Sequence, residues 1–251
     1  IDHLGNIVWQ TNYVEGWYDI IRTNDNGYIA CGNWYIVKLD SGGNTVWLKS
    51  YFSGFPRYYK TIITANDGGF LAAGVIVDFQ YDTSKCLLTR INDTGGVVWE
   101  KKYRLDNRHA GIECITSINN GYAIAGNTDD TIINNGVFSN TFFGRTDNSG
   151  NLVYKKIYFT DRSEYMQDMK KTNDNNFILT SQRLQLFIND SSYAKIFVTD
   201  SLGIIKREKN ISSPDEVVFN SLITISNGDI IFAGEADFIA SGGRDDIYII
   251  R

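Results

Sequence analysis

The sequence predicts an all-β protein built from five copies of a four-stranded antiparallel unit, and three observations support this prediction. Short turns rich in Asn, Asp and Gly recur about every 50 residues between apolar runs of strand length. A second kind of hairpin follows each of the first four turns, and it carries an aromatic residue in the first three copies and Arg207 in the weaker fourth. In composition, 43% hydrophobic residues with 23 Gly and only 2 Pro suit strands joined by tight turns. A repeat of this length is typical of one blade of a β-propeller.

The first turn of each repeat joins two strands that we name A and B. Asn and Gly supply the positive φ that a tight hairpin requires, as in Asn26-Gly27. The B strand that follows ends in small residues, as from Tyr28 to Gly32. The copies occupy residues 23–32, 65–74, 117–126, 172–181 and 224–234. Five such hairpins predict five blades.

The second hairpin joins strands that we name C and D. Residues 39–51 place Gly43 in the turn and Trp47 in the D strand. Copies follow at residues 91–103, 146–158 and, more weakly, 199–210. Trp99 and Tyr154 stand at the position of Trp47, whereas Arg207 interrupts the pattern. The predicted blades are residues 14–51, 52–103, 104–158, 159–210 and 211–251.

The last predicted blade ends after three strands, and the missing strand is found at the other end of the chain. Residues 1–13 resemble a D strand with its turn, and Trp9 stands at the position of Trp47. We therefore expect residues 1–13 to form the outer strand of the fifth blade. A ring closed in this way has no exposed strand edges. The prediction is one five-bladed β-propeller domain over residues 1–251.

The blade pattern resembles the repeats of secreted and cell-surface β-propellers common in bacteria, especially of the Bacteroidetes kind, and the resemblance covers the whole chain. The element Asp-x-x-Gly-x-x-x-Trp, as at Asp40 to Trp47, is similar to the tryptophan-docking repeats of quinoprotein-like propellers and of relatives that scaffold outer-membrane assembly. This resemblance implies that the aromatic residue packs between neighbouring blades. It also implies export to the periplasm, the outer-membrane surface or the extracellular space. Quinoprotein enzymes use adjacent cysteines, which this chain lacks, so no quinone cofactor is expected.

Charge and cysteine content restrict the classes of partner. The net charge of −5 contains no block of Lys and Arg that would neutralise phosphates, so nucleic acid is not an expected partner. No run of 18 apolar residues predicts a membrane-spanning helix. Cys31, Cys86 and Cys114 lie in apolar stretches and are expected to be buried thiols, with one disulfide or a reactive thiol as the alternative.

The loops between D and A strands and between B and C strands vary in length and sequence, and they predict the binding surface. These loops are rich in aromatic residues and Arg, which protein interfaces and sugar-binding surfaces both favour. Phe52 and Phe79 belong to this aromatic group. The predicted ligand-binding residues are Trp17, Phe55, Tyr59, Tyr81, Arg108, Tyr165 and Phe238. The alternative is that many of these aromatics pack at strand ends.

A second candidate site lies in the A strands. Counting back eight residues from each A–B turn reaches a polar residue in every blade, namely Asp19, Thr61, Glu113, Asp168 and Asn220. Alternation along the strands would point these side chains the same way, into a central channel. Asp19, Glu113 and Asp168 would then serve as the carboxylates of a carbohydrate-active hydrolase, as in the five-bladed glycosidases that this arrangement resembles.

Two other interpretations of the channel remain open. Oxygen ligands that converge on one axis suit Ca²⁺, and polar side chains also suit a channel that holds only water. His3 and His109 are too few and too far apart in the repeat to predict a His-based metal site.

The sequence as a whole favours a non-enzymatic binding or scaffold module of the cell envelope or surface. We expect it to recognise a protein or a glycan through its loop surface, without a required cofactor, either as a monomeric ring or as a subunit of a larger assembly. The alternatives are a carbohydrate-active hydrolase that uses the channel carboxylates, and a structural subunit of an outer-membrane or secretion assembly.

Overall fold

The computed structural model describes residues 3–14, 16–105, 109–133, 136–160, 163–183, 193–212, 216–225, 229–237 and 245–250. These residues form nineteen β-strands, and no helix occurs among them. Accordingly, the described ranges contain no helix long and apolar enough to cross a membrane. The chain divides into two compact units, Ile1–Tyr103 and Arg104–Arg251.

The first unit contains two antiparallel sheets, each made of four strands in chain order. The first sheet consists of β1 (Trp17–Arg22), β2 (Tyr28–Gly32), β3 (Tyr35–Leu39) and β4 (Thr45–Ser50). The second sheet consists of β5 (Arg57–Thr64), β6 (Phe70–Asp78), β7 (Thr83–Ile91) and β8 (Val97–Tyr103). In both sheets the four strands are the predicted A, B, C and D strands.

The second unit continues the pattern with three sheets. The third sheet consists of β9 (His109–Ile118), β10 (Gly121–Ile133), β11 (Gly136–Thr146) and β12 (Leu152–Tyr158). The fourth sheet consists of β13 (Glu164–Lys171), β14 (Phe177–Arg183), β15 (Tyr193–Thr199) and β16 (Ile205–Ile211). The fifth sheet consists of β17 (Glu216–Thr224), β18 (Ile230–Asp237) and β19 (Asp245–Ile250).

This architecture confirms the all-β class and the antiparallel sheets of four consecutive strands, which are consistent with a β-propeller. The fifth sheet has three strands among the described residues, and residues 3–14 form no strand. The strand predicted over residues 1–13 is therefore not seen in its described part. Its pairing with the fifth sheet, the single-domain organisation and the blade boundaries stay predictions.

The repeated Asp and Gly of the C–D turns have a local cause. Asp40 Oδ1 accepts hydrogen bonds from the N–H groups of Gly42 and Asn44 at 2.8 and 2.9 Å. Gly43 adopts a φ of 81°, which costs glycine little. Side-chain capping of this kind fixes the turn before any tertiary contact forms. The turn signal that predicted the hairpins is thus a local one.

The aromatic residues at the D strand of the first sheet pack against the C–D turn of the second sheet, as the resemblance implied. Trp47 Nε1 donates to the carbonyl oxygen of Asp93 at 2.9 Å, and the Trp47 ring lies against Gly95. Tyr51 Oη donates to the carbonyl oxygen of Gly95 at 2.8 Å. Gly95 has a φ of 73°, which favours glycine, and a Cβ there would lie 2.9 Å from Lys49 Cδ and 3.2 Å from the Trp47 ring. These contacts join the first sheet to the second.

Apolar clusters fill the spaces between successive sheets within each unit. In the first unit, Ile29, Cys31 and Ile36 of the first sheet pack against Tyr59 and Ile62 of the second. Similar clusters lie between the third and fourth sheets and between the fourth and fifth. Burial of this apolar surface supplies the main stabilisation of each unit. All three cysteines are buried free thiols.

Candidate functional site

A β-bulge in each A strand determines which predicted channel residues are equivalent. The residue directly after the bulge pairs with the same position of the B strand in every sheet. These residues are Asp19, Thr61, Cys114, Asp168 and Ser221. Glu113 and Asn220 are instead bulge residues, one position earlier in the strand.

This difference corrects the predicted equivalence of the five polar residues. In the third sheet Ser117 pairs with Tyr122, so four residues separate them, whereas five separate Arg22 from Tyr28 in the first sheet. Counting back from the turn therefore reaches Glu113, the bulge residue, rather than Cys114. The proposed set of three equivalent carboxylates is reduced to Asp19 and Asp168. A channel shared by these residues involves both units and stays a prediction.

Asp19 uses its carboxylate to join the first sheet to the second. Asp19 Oδ2 accepts hydrogen bonds from the Ile62 N–H at 2.9 Å and from Thr61 Oγ1 at 3.1 Å. Asp19 Oδ1 accepts from the N–H of Ile20 at 2.8 Å. Hydrogen bonds to an ionised carboxylate are stronger than those between neutral groups. Asp19 therefore acts as a link between neighbouring A strands.

Asp168 makes the equivalent link in the second unit. Its Oδ2 accepts from the N–H of Leu222 in the fifth sheet at 2.9 Å, and its Oδ1 accepts from the Met169 N–H at 2.7 Å. Lys170 Nζ lies 3.0 Å from the same Oδ1. The side chain of Asp168 is only 14% exposed. Since Ile62 and Leu222 occupy equivalent positions, both aspartates bind the next sheet in the same way.

Side chains of the neighbouring B strands reinforce these links between sheets. Cys31 Sγ donates to the carbonyl oxygen of Tyr59 at 3.3 Å, and Thr180 Oγ1 donates to that of Phe219 at 3.4 Å. Cys31 pairs with Asp19, and Thr180 pairs with Asp168. Cys31 was predicted only as a buried thiol of an apolar stretch, and the one sequence signal for its hydrogen bond is a small polar residue opposite the aspartate.

Four exposed aromatic side chains lie on two loops of the first unit. Phe52 and Phe55, in the loop before β5, are 53% and 41% exposed, and Phe79 and Tyr81, between β6 and β7, are 73% and 68% exposed. We call these four residues the loop patch. Phe55 also lines a pocket of about 100 Å³ together with Asp78, Lys85 and Lys102. The loop patch thus borders polar and charged groups.

Both loops of the patch are held in place. The N–H of Val77 donates to the carbonyl oxygen of Pro56 at 2.9 Å, which joins the two loops. Asp78 Oδ1 accepts from the N–H groups of Gln80 and Tyr81 at 3.1 and 3.4 Å. A patch ordered before binding loses less conformational entropy when a ligand binds.

A partly buried ion pair supports the base of the loop patch. Arg57 is 4% exposed and forms hydrogen bonds with Glu100 and with Ser53 of the Phe52–Phe55 loop. Lys102 Nζ lies 3.1 Å from Glu100 Oε1. Burial alone would raise the pKa of Glu100, but the hydrogen bonds from Arg57 and Lys102 outweigh it, and the pKa lies below its ordinary value. Glu100 is therefore ionised at neutral pH.

The other predicted ligand-binding residues are placed differently. Tyr59 is fully buried, with its Oη 3.2 Å from Thr89 Oγ1, so its prediction as a surface residue is wrong. Strand alternation turns Tyr59 into the core between the first two sheets. Trp17 is half-buried against Tyr13, with ring centroids 5.5 Å apart, and Tyr165 is also half-buried. Arg108 and Phe238 lie outside the described residues.

The sequence did not predict one buried carboxylate, that of Glu164. Glu164, at the start of β13, is 2% exposed and accepts from Tyr193 Oη at 3.1 Å and from Ser181 Oγ at 3.4 Å. Burial, followed by smaller effects that include the charge of Glu164, raises the pKa of Tyr193, so its hydroxyl stays protonated and donates at neutral pH. This arrangement satisfies a buried carboxylate at the strand end, and no motif predicted it. Across the described ranges, no three His, Cys, Asp or Glu side chains are grouped so that they could hold a metal ion.

Comparison with known proteins extends to the fold alone. No protein-family model and no curated protein matches the chain. The chain is similar to a mutant α-L-arabinofuranosidase of Fusarium graminearum in complex with an iminosugar inhibitor, with 9% identity, a TM-score of 0.52 and coverage of 95% of this chain and 97% of that one. At this identity the likeness shows a shared fold and does not indicate an activity.

Two further solved structures have lower TM-scores. One is the GH93 α-L-arabinofuranosidase of Fusarium graminearum in complex with arabinobiose, with 11% identity, a TM-score of 0.47 and coverage of 92% and 91% of the two chains. The other is a protein of unknown function from Bacteroides caccae, with 11% identity, a TM-score of 0.42 and coverage of 88% of each chain.

Proposed function

We propose that this chain is a non-enzymatic binding module whose loop patch recognises a glycan. The observation that carries the proposal is the group of four exposed aromatics on two joined loops, next to a pocket lined by Asp78, Lys85 and Lys102. Aromatic rings offer flat apolar surfaces, which suit the C–H faces of sugars. A few polar groups beside such a surface give orientation and specificity.

The contacts of Asp19 and Asp168 support a binding module over a hydrolase. Each carboxylate already accepts backbone hydrogen bonds that join neighbouring sheets. A general acid or base must instead be free to exchange a proton with a substrate. Glu113, the third carboxylate of the hydrolase interpretation, is out of register with both.

A five-bladed ring closed by residues 1–13 is part of the same proposal. The ring of Trp9 lies against Gly43 of the first sheet, as that of Trp47 lies against Gly95 of the second. Trp9 thus makes the contact expected of a preceding D strand. Export to the cell envelope or surface, a Ca²⁺ site in the channel and membership of a larger assembly remain further proposals that the loop patch neither requires nor opposes.

A glycan array tests the binding proposal. The double variant Phe55→Ala/Tyr81→Ala should lose at least tenfold in affinity for the glycans that the wild type retains, since buried aromatic contacts dominate binding energy. Leu202→Ala removes an exposed apolar side chain from a C–D turn and serves as the matched control, with unchanged affinity expected.

Three outcomes would count against the proposal. Glycan binding that survives the double variant would show that the loop patch is not the site. Capture of a protein in a pull-down, without any glycan retained, would assign the patch to a protein partner. Release of reducing sugar from a bound glycan, abolished by Asp168→Asn in a folded variant, would favour the hydrolase.

A further inference from the structure

Each unit contains a pocket at the turn end of its sheets, between an A–B turn and the next sheet. The pocket of the first unit has a volume of about 370 Å³ and lies between the first and second sheets. The pocket of the second unit has a volume of about 270 Å³ and lies between the third and fourth sheets. Because the sheets repeat, the two pockets can be compared position by position.

The cation of the first pocket is neutralised by its own sheet. Lys38 Nζ lies 2.7 Å from Asp25 Oδ2 in the A–B turn. The second sheet repeats this pair, since Arg90 Nη2 lies 2.7 Å from Asp67 Oδ1. Asp93 also lines the first pocket. The described lining of this pocket therefore has two carboxylates, Asp25 and Asp93, and one cation, Lys38.

Arg145 is the equivalent cation of the second pocket, and it lacks this partner. Lys38 pairs with Ile29 and Arg145 pairs with Ala123, and each of these partners directly follows the aromatic residue of its B strand. Asp25 stands three residues before Tyr28, whereas Asn119 stands three residues before Tyr122. In the part of the chain that the structure describes, no ion pair joins the half-buried Arg145 to a carboxylate.

At two further positions the second pocket is also more positively charged than the first. Thr64 of the first pocket, which pairs with Phe70, is replaced by Lys171, which pairs with Phe177. Asp93, the second residue of its C–D turn, is replaced by Ser201. The described lining of the second pocket therefore holds two cations and no carboxylate.

The Asp carboxylates of the turns around the second pocket accept hydrogen bonds from donors within their own turns. Asp147 Oδ1 accepts from the Asn151 N–H at 2.8 Å, and Asp200 Oδ1 accepts from the Leu202 N–H at 2.9 Å. Asp174 accepts hydrogen bonds from Thr172 and Asn176 within its own turn. These hydrogen bonds hold all three acids in their own turns.

We propose that the pocket around Arg145 and Lys171 binds a small oxyanion, that is, a carboxylate, sulfate or phosphate group. The guanidinium of Arg forms two parallel hydrogen bonds with such a group, and Lys adds a second positive charge. Partial burial of Arg145 strengthens the attraction because the local dielectric constant is lower than that of water. A volume of about 270 Å³ lies at the small end of ligand pockets, so the site fits one anionic group rather than a large ligand.

Isothermal titration of the whole chain with sodium sulfate, sodium phosphate and sodium glucuronate, at constant chloride concentration, tests this site. The wild type should bind at least one of the three in a saturable way, and the preferred probe identifies the source of the oxyanion. Arg145→Gln should weaken binding at least tenfold. Asn119→Asp should do the same with Arg145 present, because it restores the carboxylate that the first two sheets have.

Lys38→Gln is the matched control, since it removes the equivalent cation from the pocket that carries its own carboxylate, and unchanged binding is expected. Circular dichroism confirms that each variant is folded. If the wild type takes up none of the three anions, or if both Arg145→Gln and Asn119→Asp keep wild-type affinity, the proposal is wrong. The measurement is independent of the loop patch, so the failure of one proposal leaves the other standing.

Discussion

Three charged side chains of the described residues connect one strand to another. Asp19 and Asp168 bind the backbone of the following sheet, and Arg57 joins a loop to Glu100 of the outer strand. Removal of one partner from such a buried pair leaves the other charge without compensation, which costs more than the pair contributed. The side chain of Glu100 is 22% exposed, so solvent weakens this effect there.

The lowered pKa of Glu100 predicts a pH-dependent contribution to stability. An acid whose pKa is depressed by folding stabilises the folded state above its unfolded pKa, which is 4.5 for Glu100. This contribution is lost as the pH falls through the folded pKa. We expect the wild type to exceed Glu100→Gln in free energy of unfolding at pH 7, and the difference to shrink below pH ~4. Urea denaturation at a series of pH values measures it. A difference that stays constant down to pH ~3 would contradict the assignment.

At the scale of the strand, the first two sheets share a pair between a basic C-strand residue and a D-strand Trp, and the fourth sheet has a different pair at this position. Lys38 pairs with Trp47 and Arg90 pairs with Trp99, so a C-strand cation faces a D-strand Trp. In the fourth sheet Val198 pairs with Arg207, with the positions of the apolar and basic residues reversed. The fourth sheet therefore keeps its four strands with Arg207 in place of the Trp, and it lacks the contact that the Trp ring makes in the first sheet.

This exchange supplies a matched pair of substitutions. Trp47→Ala should lower the free energy of unfolding by about 2–4 kcal/mol, because it removes ring packing on Gly95 and the hydrogen bond to Asp93. Arg207→Ala, at the equivalent exposed position, should change it by less than about 0.5 kcal/mol. Equilibrium unfolding in urea compares them. Equal effects would show that the D-strand Trp is not a docking residue.

At the scale of the whole chain, closure of the ring is the largest open structural prediction. Trp9 lies against the first sheet, whereas β19 ends the fifth sheet with no further strand among the described residues. A strand edge in that position would be open to pairing with other chains. Pairing of residues 1–13 with β19 would give the fifth sheet a fourth strand and would leave the edge of β19 no longer open.

Hydrogen exchange distinguishes closure from packing of Trp9 alone. If residues 1–13 pair with β19, deletion of these residues should abolish the slow exchange of the β19 amide hydrogens. Trp9→Ala, which keeps the backbone of the segment, should leave most of that protection in place. Rapid exchange of β19 in the full chain would contradict closure.

The sequence by itself determined the all-β class, the hairpins and the repeat, because these depend on local chemistry. A carboxylate such as that of Asp40 caps its own turn, and Gly43 supplies positive φ whatever the remaining chain does. The period of the turns then predicted four strands in each sheet. None of these features requires knowledge of a distant contact.

The tertiary structure decided what the side chains do. The A–B turn of the third sheet is one residue shorter than that of the first, so Glu113 falls on the β-bulge and out of the register of Asp19. Packing of the second sheet on the first buried Tyr59 and left Tyr81 exposed, although both are tyrosines beside variable loops. The charge of a pocket likewise depends on which turns meet there. Burial and pairing arise between strands that are distant in the chain, so local sequence does not specify them.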